Sequence, residues 1–168
     1  GAVSFDVSGA SSVELVSGAG TSLSKSGAGT LTLGNVTATY TGPTIVSAGT
    51  LALGATGSPS NLSNLVVAGG TFDAGANSQT FAGVQLTSGT IQNGTVTLNS
   101  GNFDLQSGTV SAKLAGSAGA NKTNAGTVTF SGSTANTYSG TTTVSAGTLN
   151  LNKSAATDAI AGNLAVAG

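Results

Sequence analysis

Three aspartates are the residues of this chain best suited to chemistry, and each directly follows a phenylalanine: Asp6, Asp73 and Asp104. A pair of carboxylates can serve as the general acid and general base that cleave a glycosidic bond. Sites of that kind usually contain cationic or aromatic residues too, but the chain has no Arg, His or Trp. We therefore predict that the aspartates are solvated, outward-facing strand residues, that no residue is catalytic, and that the chain is not an enzyme.

Metal and cofactor sites have little support from the residue types. Calcium needs several clustered oxygen ligands, and segment 69–73, Gly-Gly-Thr-Phe-Asp, matches a nonapeptide calcium repeat at too few positions. Gly27-Ala28-Gly29 lacks the Gly-Lys-Ser/Thr sequence of a phosphate-binding loop and opens no helix. The absence of Cys excludes a thiolate metal site and a disulfide scaffold. We predict no metal and no cofactor.

Tyrosine and threonine allow further interpretations. Tyr40 and Tyr138 would be glycan-stacking platforms if exposed, but we favour core or corner positions in which each hydroxyl reaches the backbone. Regular Thr-x-Thr arrays on solenoid surfaces bind ice, yet only the pairs at 30/32 and 127/129 fit such an array here. The other copies of the strand carry different residues at the second position, so an ice-binding lattice is disfavoured.

The elements that position all these residues are short strands that begin with Gly-Thr. Seven of these dipeptides, with glycines at 29, 49, 70, 89, 108, 126 and 147, follow one another at nearly even spacing. After each comes an apolar residue, then a polar or small one, then in most copies another apolar residue. This is the period-2 pattern of a strand with one apolar face. A repeat of about 20 residues built on short strands predicts a solenoid.

The same pattern predicts the core. Stacked in register, the strands place an apolar column inside and a threonine column on the opposite face. Asn93 is the polar exception in the inner column, and we expect its amide to bond corner backbone groups, or the strand to shift toward Gly94. The predicted inward residues are Leu31, Leu33, Leu51, Leu53, Phe72, Ile91, Val110, Val128, Phe130, Leu149 and Leu151. The predicted outward threonines are Thr30, Thr50, Thr71, Thr90, Thr109, Thr127 and Thr148.

Further short strands lie between these copies, at 44–46, 65–67, 80–82, 84–86, 96–98 and 103–105. Two or three strands per turn, joined by corners rich in Gly, Asn and Ser, predict an all-β parallel β-helix. We expect about eight coils of roughly 20 residues and a length of roughly 40 Å at ~4.8 Å per coil. One helical turn over 155–161 is the only helix signal.

A longer period of about 98 residues overlies the short one. It relates Phe5-Asp6 to Phe103-Asp104, Lys25 to Lys122, Tyr40 to Tyr138, and Asn64-Leu65 to Asn163-Leu164. We predict one continuous solenoid over 1–168 in which this long unit occurs about 1.7 times, as a first unit at 1–97 and a partial second unit at 98–168. Asp6 and Asp104 would then lie about five coils or ~24 Å apart, too far to cooperate.

Composition and charge exclude several classes of partner. Charged residues make up 5% of the chain and the formal net charge is −1, so there is no basic patch for nucleic acid or an anionic membrane. No apolar run is as long as a membrane-spanning helix requires, so we predict no membrane insertion. The chain starts at Gly1 in mid-pattern with no visible signal peptide, which favours an excised or processed part of a longer polypeptide.

Two segments resemble a known repeat. The run Lys25-Ser-Gly-Ala-Gly-Thr-Leu-Thr-Leu-Gly34, followed by Tyr40-Thr-Gly-Pro-Thr-Ile-Val-Ser-Ala-Gly-Thr-Leu51, is similar to the autotransporter-associated β-strand repeat. A second copy runs from Lys122 to Leu151, with Thr141 in place of Pro43. The resemblance implies a right-handed β-helical passenger segment of a large, secreted, surface-displayed bacterial protein. It implies no activity, and the membrane barrel of such proteins has no counterpart in these residues.

Three functions follow from these expectations. The first is a structural stalk, and the second is a filament subunit that stacks end to end, because both solenoid ends would present unpaired backbone groups and apolar core. The third is an adhesin shaft that binds glycan or a host surface through loops, for which 54–61 and 117–124 are the candidate segments. The expected partners are neighbouring repeats or further copies of the chain, and the expected location is extracellular or at the bacterial cell surface.

Overall fold

The computed structural model describes residues 2–6, 8–13, 18–34 and 38–167. In these ranges the chain forms strands joined by turns and bends, and none of the described residues is helical. The strands are β1 (Ala2–Asp6), β2 (Ser11–Val13), β3 (Ser22–Ser26), β4 (Thr30–Leu33), β5 (Thr44–Val46), β6 (Thr50–Leu53), β7 (Asn64–Asp73), β8 (Ser78–Phe81), β9 (Gly83–Gln92), β10 (Thr95–Leu98), β11 (Asn102–Leu105), β12 (Gly108–Val110), β13 (Lys113–Ala115), β14 (Gly119–Lys122), β15 (Thr127–Phe130), β16 (Thr142–Val144), β17 (Thr148–Leu151) and β18 (Leu164–Val166).

The strands form two long parallel stacks and one short one. The first stack runs β1-β3-β5-β7-β9-β11-β14-β16-β18. The second runs β2-β4-β6-β7-β9-β12-β15-β17, because the ten-residue strands β7 and β9 each contribute one half to either stack. Strands β8, β10 and β13 form the short stack. Each coil therefore lies on the one before it, which confirms the predicted all-β parallel solenoid.

The core is the column of inward side chains that the alternation predicted. Of the eleven predicted core residues, the nine from Leu31 to Phe130 are buried. Phe72 also packs edge-on against Phe81 of the short stack, with ring centroids 5.6 Å apart. Leu149 is only partly buried, and the predicted burial of Leu151 is wrong because its side chain is 51% exposed. Both lie in β17, which pairs only with β15, so no further strand covers them among the described residues.

The threonine column is in register through five coils. Thr30 pairs with Thr50, Thr50 with Thr71, Thr71 with Thr90, and Thr90 with Thr109. The next step slips by two positions, so that Thr109 pairs with Thr129 rather than Thr127. A slip of two keeps every side chain on its own face, because the side-chain period of a strand is two. None of the predicted outward threonines is buried, and the alternation is preserved through the slip.

Two local predictions are wrong. Residues 155–161 form turns and bends instead of a helical turn. Segment 117–124 is no loop, because it contains β14, a rung of the first stack. The other predicted recognition loop, 54–61, does lie between strands, although Pro59 and Ser60 within it are buried.

Candidate functional site

The carboxylate of Asp73 is held by three hydrogen-bond donors. The backbone N–H of Gly75 and the Nδ2 of Asn93 donate to Oδ1 at 2.8 and 2.9 Å, and the Nε2 of Gln92 donates to Oδ2 at 2.8 Å. Gln92 is the register partner of Asp73 in the next coil. Asn93 does not lie in the inner column: it is exposed in a left-handed corner at φ 57°, immediately after β9. Its amide bonds this carboxylate instead of corner backbone groups.

These contacts set the ionisation of Asp73. Burial acts to raise its pKa, but the hydrogen bonds from Gln92, Asn93 and Gly75 favour the charged carboxylate and hold the pKa below its ordinary value. A depressed folded-state pKa stabilises the fold above the unfolded-state pKa of about 3.9, and that stability is lost as the pH falls through the folded-state value. The carboxylate therefore joins two coils at neutral pH.

Changing Asp73 to Asn should lower the free energy of unfolding by about 1 kcal/mol at pH 7, because an amide cannot accept all three hydrogen bonds and the site is partly exposed. The difference from the wild type should shrink as the pH falls below about 4 and through the lowered folded-state pKa, because the wild-type carboxylate then becomes protonated. Urea unfolding at pH 7 and pH 3 measures both values. Asp158→Asn is the control, because this exposed carboxylate makes none of these contacts; an equal, pH-independent loss in both variants would contradict the assignment.

Asp104 occupies a similar place in the first stack. Its Oδ2 accepts from the Nε2 groups of Gln85 and Gln106 at 2.7 and 3.0 Å, and its Oδ1 accepts from Thr123 Oγ1 at 3.3 Å. Gln85 is again the register partner in the adjacent coil. Asp73 and Asp104 belong to different stacks, and the side chain of Asp6 lies outside the described residues. The structure therefore places the described aspartates in separate polar networks.

Both tyrosines are fully buried core residues. The hydroxyls of Tyr40 and Tyr138 lie 2.6 Å from the Oγ1 atoms of Thr44 and Thr142, respectively. Thr44 continues the contact to Ser63 Oγ at 3.1 Å in the next coil. The rings are thus unavailable as glycan platforms. Each hydroxyl bonds a threonine side chain, and the hydroxyl of Tyr40 also makes the predicted backbone hydrogen bond, with Ser60.

Alkaline titration should show the burial of these two tyrosines directly. Desolvation raises the pKa of both hydroxyls, and hydrogen bonds from Thr44 and Thr142 act in the opposite sense. The stability linked to neutral tyrosine is present below the unfolded-state pKa of about 10 and is lost as the pH rises through the folded-state pKa. Because the chain has only these two tyrosines, phenolate absorbance should appear only above pH 10 and together with the loss of β circular dichroism. Phenolate at pH 10 in a fully folded protein would contradict this.

Two lysines are buried in the inner column, where only apolar residues were predicted. Lys25 lies two positions after Leu23 in β3 and Lys122 two after Ala120 in β14, with 0 and 1% of their surfaces exposed. Lys25 Nζ donates to the carbonyl oxygens of Ser26, Gly27 and Ala48 at 2.6, 2.7 and 3.2 Å. The available signal was the alternation itself, which puts each lysine on the same face as its apolar neighbour.

The second lysine repeats the arrangement. Lys122 Nζ donates to the backbone carbonyl of Asn124, to Asn124 Oδ1 at 3.1 Å and to the carbonyl of Ala146 at 3.2 Å. Burial lowers the pKa of this ammonium, whereas hydrogen bonds to carbonyl oxygens favour its charged form. Both lysines therefore bond their own corner and a corner one coil further on.

A left-handed glycine closes each lysine site. Gly49 (φ 62°) and Gly147 (φ 71°) lie so close that an added Cβ would stand 2.8 Å from Lys25 Nζ and 2.7 Å from Lys122 Nζ. The same Cβ atoms would come within 2.4 Å of the carbonyl oxygens of Gly27 and Gly126. No other residue type fits these two corners, which explains the glycine in two of the seven Gly-Thr pairs.

Among the described residues, no group of three or more acidic side chains is placed to hold a metal ion. The described part also contains no helix long and apolar enough to cross a membrane. Within it, every buried side-chain nitrogen and oxygen has a hydrogen-bond partner.

Residues 23–53 and 121–151 each match the family model of the passenger-associated-transport-repeat. The two matches confirm the resemblance to autotransporter passenger repeats, and together they cover rather more than a third of the 168-residue chain. Each matched segment contains one buried lysine, one buried Tyr–Thr pair and a left-handed glycine that closes the lysine site, Gly49 or Gly147. No curated protein and no solved structure matches the chain.

Proposed function

We propose that the chain is a structural stalk segment of a secreted or surface-displayed bacterial protein. The observation that carries this is the unbroken parallel ladder, in which nine strands of one stack and eight of another follow each other through the described residues. Each coil extends such a ladder by about 4.8 Å, so that the repetition of similar short strands makes the structure longer. The two passenger-repeat matches support a secreted or surface location.

The polar side chains support the same function. Asp73 and Asp104, the strongest candidates for acid–base chemistry, are bonded to glutamine side chains 19 residues away, in adjacent coils. Their carboxylates therefore act as cross-links between coils. Such links add to the backbone ladders and the apolar column that join successive coils of a stalk.

A panel of polysaccharides should show no turnover by the purified chain, since neither carboxylate is paired with a second acidic group among the described side chains. Reducing-end release and unsaturated-product absorbance report hydrolase and lyase activity, respectively. Turnover that disappears in Asp73→Asn or Asp104→Asn, but persists in Asp158→Asn, would overturn the stalk proposal in favour of an enzyme.

An end-to-end filament is a second candidate, favoured by one observation. The last described coil leaves Leu151, Leu164 and Val166 exposed by 51, 51 and 66%. With Leu149 and Ile160, these residues line a cavity of about 250 Å³. The strand edges of β17 and β18 are also unpaired on this side among the described strands. A further copy of the chain would cover this surface by strand addition.

Light scattering over a range of concentrations tests the filament. Linear growth should occur in the wild type and be lost on changing Leu164 and Val166 to Lys, because a charge buried between coils is strongly unfavourable unless it is fully hydrogen bonded, as Lys25 and Lys122 are. Leu62→Lys is the matched control, because Leu62 is 63% exposed elsewhere on the solenoid. A protein that stays monomeric at high concentration would contradict the filament proposal and leave the stalk as the proposed function.

A further inference from the structure

The two buried lysines, Lys25 and Lys122, occupy equivalent sites in the two matched segments. In each, the inner-column register stacks the lysine directly on a valine of the next coil, Val46 or Val144. The hydrocarbon part of the side chain therefore lies in the apolar column, and the ammonium leaves that column at a corner. A buried ammonium is strongly unfavourable unless all of its N–H groups are hydrogen bonded.

The corner supplies the required acceptors from two coils. For Lys122, the carbonyl and side-chain oxygens of Asn124 come from its own coil, and the carbonyl of Ala146 comes from the next. For Lys25, Ser26 and Gly27 supply the near carbonyls and Ala48 the far one. An ammonium carries three donors and no acceptor, so three oxygens satisfy it.

We propose that this corner is a binding site for a primary alkylammonium group, which the lysine of the repeat fills in cis and which locks one coil to the next. Its partners are neutral carbonyl oxygens, so the site recognises the cation through oriented dipoles. The left-handed glycine, Gly49 or Gly147, leaves room for the ammonium, because a Cβ there would lie within 2.8 Å of Nζ.

Chemical rescue tests the proposal. Lys122→Ala removes a propylammonium group from this corner, here called the cage. The buried carbonyls then lack a hydrogen-bond donor, which should lower the Tm by about 5–10 °C. Adding n-propylammonium chloride should restore several degrees of this loss in Lys122→Ala and none in the wild type. Tetramethylammonium chloride, which has no N–H donor, and propan-1-ol, which has no charge, should not restore it.

Lys113→Ala is the matched control, because Lys113 is a strand lysine of β13 that is not buried. It should have a smaller Tm loss and no response to n-propylammonium. An equal Tm loss in both variants, or a response to all three additives alike, would overturn the proposal.

A measurement on the unmodified protein covers the case in which Lys122→Ala does not fold. The chain has four lysines, and an ¹⁵Nζ–¹H NMR spectrum should show protected, slowly exchanging ammonium signals for Lys25 and Lys122. Lys113 should give none under the same conditions. Rapid solvent exchange at both Lys25 and Lys122 in the folded protein would refute the cage.

Discussion

Replacing Gly49 with Ala should lower the free energy of unfolding by about 2–5 kcal/mol, because two costs combine at this corner. The backbone is left-handed at φ 62°, which costs an L-residue with a side chain about 1–2 kcal/mol. The new Cβ would also stand 2.3 and 2.4 Å from the carbonyl oxygens of Gly29 and Gly27. Backbone atoms cannot move aside as a flexible side chain can, so overpacking adds about 1–3 kcal/mol.

Gly101→Ala separates the two costs. Gly101 is also left-handed, at φ 73°, but an added Cβ would meet no atom within 4 Å. Denaturant unfolding of this variant should show only the conformational cost of about 1–2 kcal/mol. Equal losses in Gly49→Ala and Gly101→Ala would mean that the coils are not stacked as closely as the lysine corner requires.

Replacing Leu51 with Ala should lower the free energy of unfolding by about 2–5 kcal/mol, because it opens a cavity in the inner column. Leu51 is fully buried, and its register partners are Leu31 below and Phe72 above. Two neighbouring coils therefore lose packing at once. Urea unfolding followed by circular dichroism measures the change.

Thr50→Ala is the neighbouring control for the Leu51 variant. Thr50 is half-buried in the outward column, so its replacement should cost less than about 1 kcal/mol. A larger loss for Thr50→Ala than for Leu51→Ala would reverse the assignment of inner and outer faces.

The fold could be predicted because two periods agree. The alternation after each Gly-Thr fixes the faces of the strand, and the even spacing of the Gly-Thr pairs fixes one such strand per coil. The slip that pairs Thr109 with Thr129 could not be predicted, because a shift of two positions leaves the pattern of faces unchanged. Leu151 was expected in the core from the same alternation, but burial also needs a covering coil.

The polar contacts were predicted less well, for a different reason. Lys25 sits at an inward position of the alternation, but lysine is almost never fully buried without a partner. Its partners include the carbonyl of Ala48, which becomes a neighbour only when two coils stack. Asn93 similarly continues the apolar column in sequence, whereas a left-handed corner turns it outward to Asp73. Contacts between coils thus require the three-dimensional stack.

The most direct test of the solenoid is a ladder of distances between spin labels on the threonine column. The chain has no Cys, so Thr30→Cys can be paired in turn with Thr90→Cys, Thr109→Cys and Thr148→Cys. These positions lie three, four and six coils from Thr30. Pulsed electron–electron double resonance should give distances of ~14, ~19 and ~29 Å, which rise by ~4.8 Å per coil. Distances that do not increase in proportion to the number of coils would contradict the stacked parallel ladder on which the stalk depends.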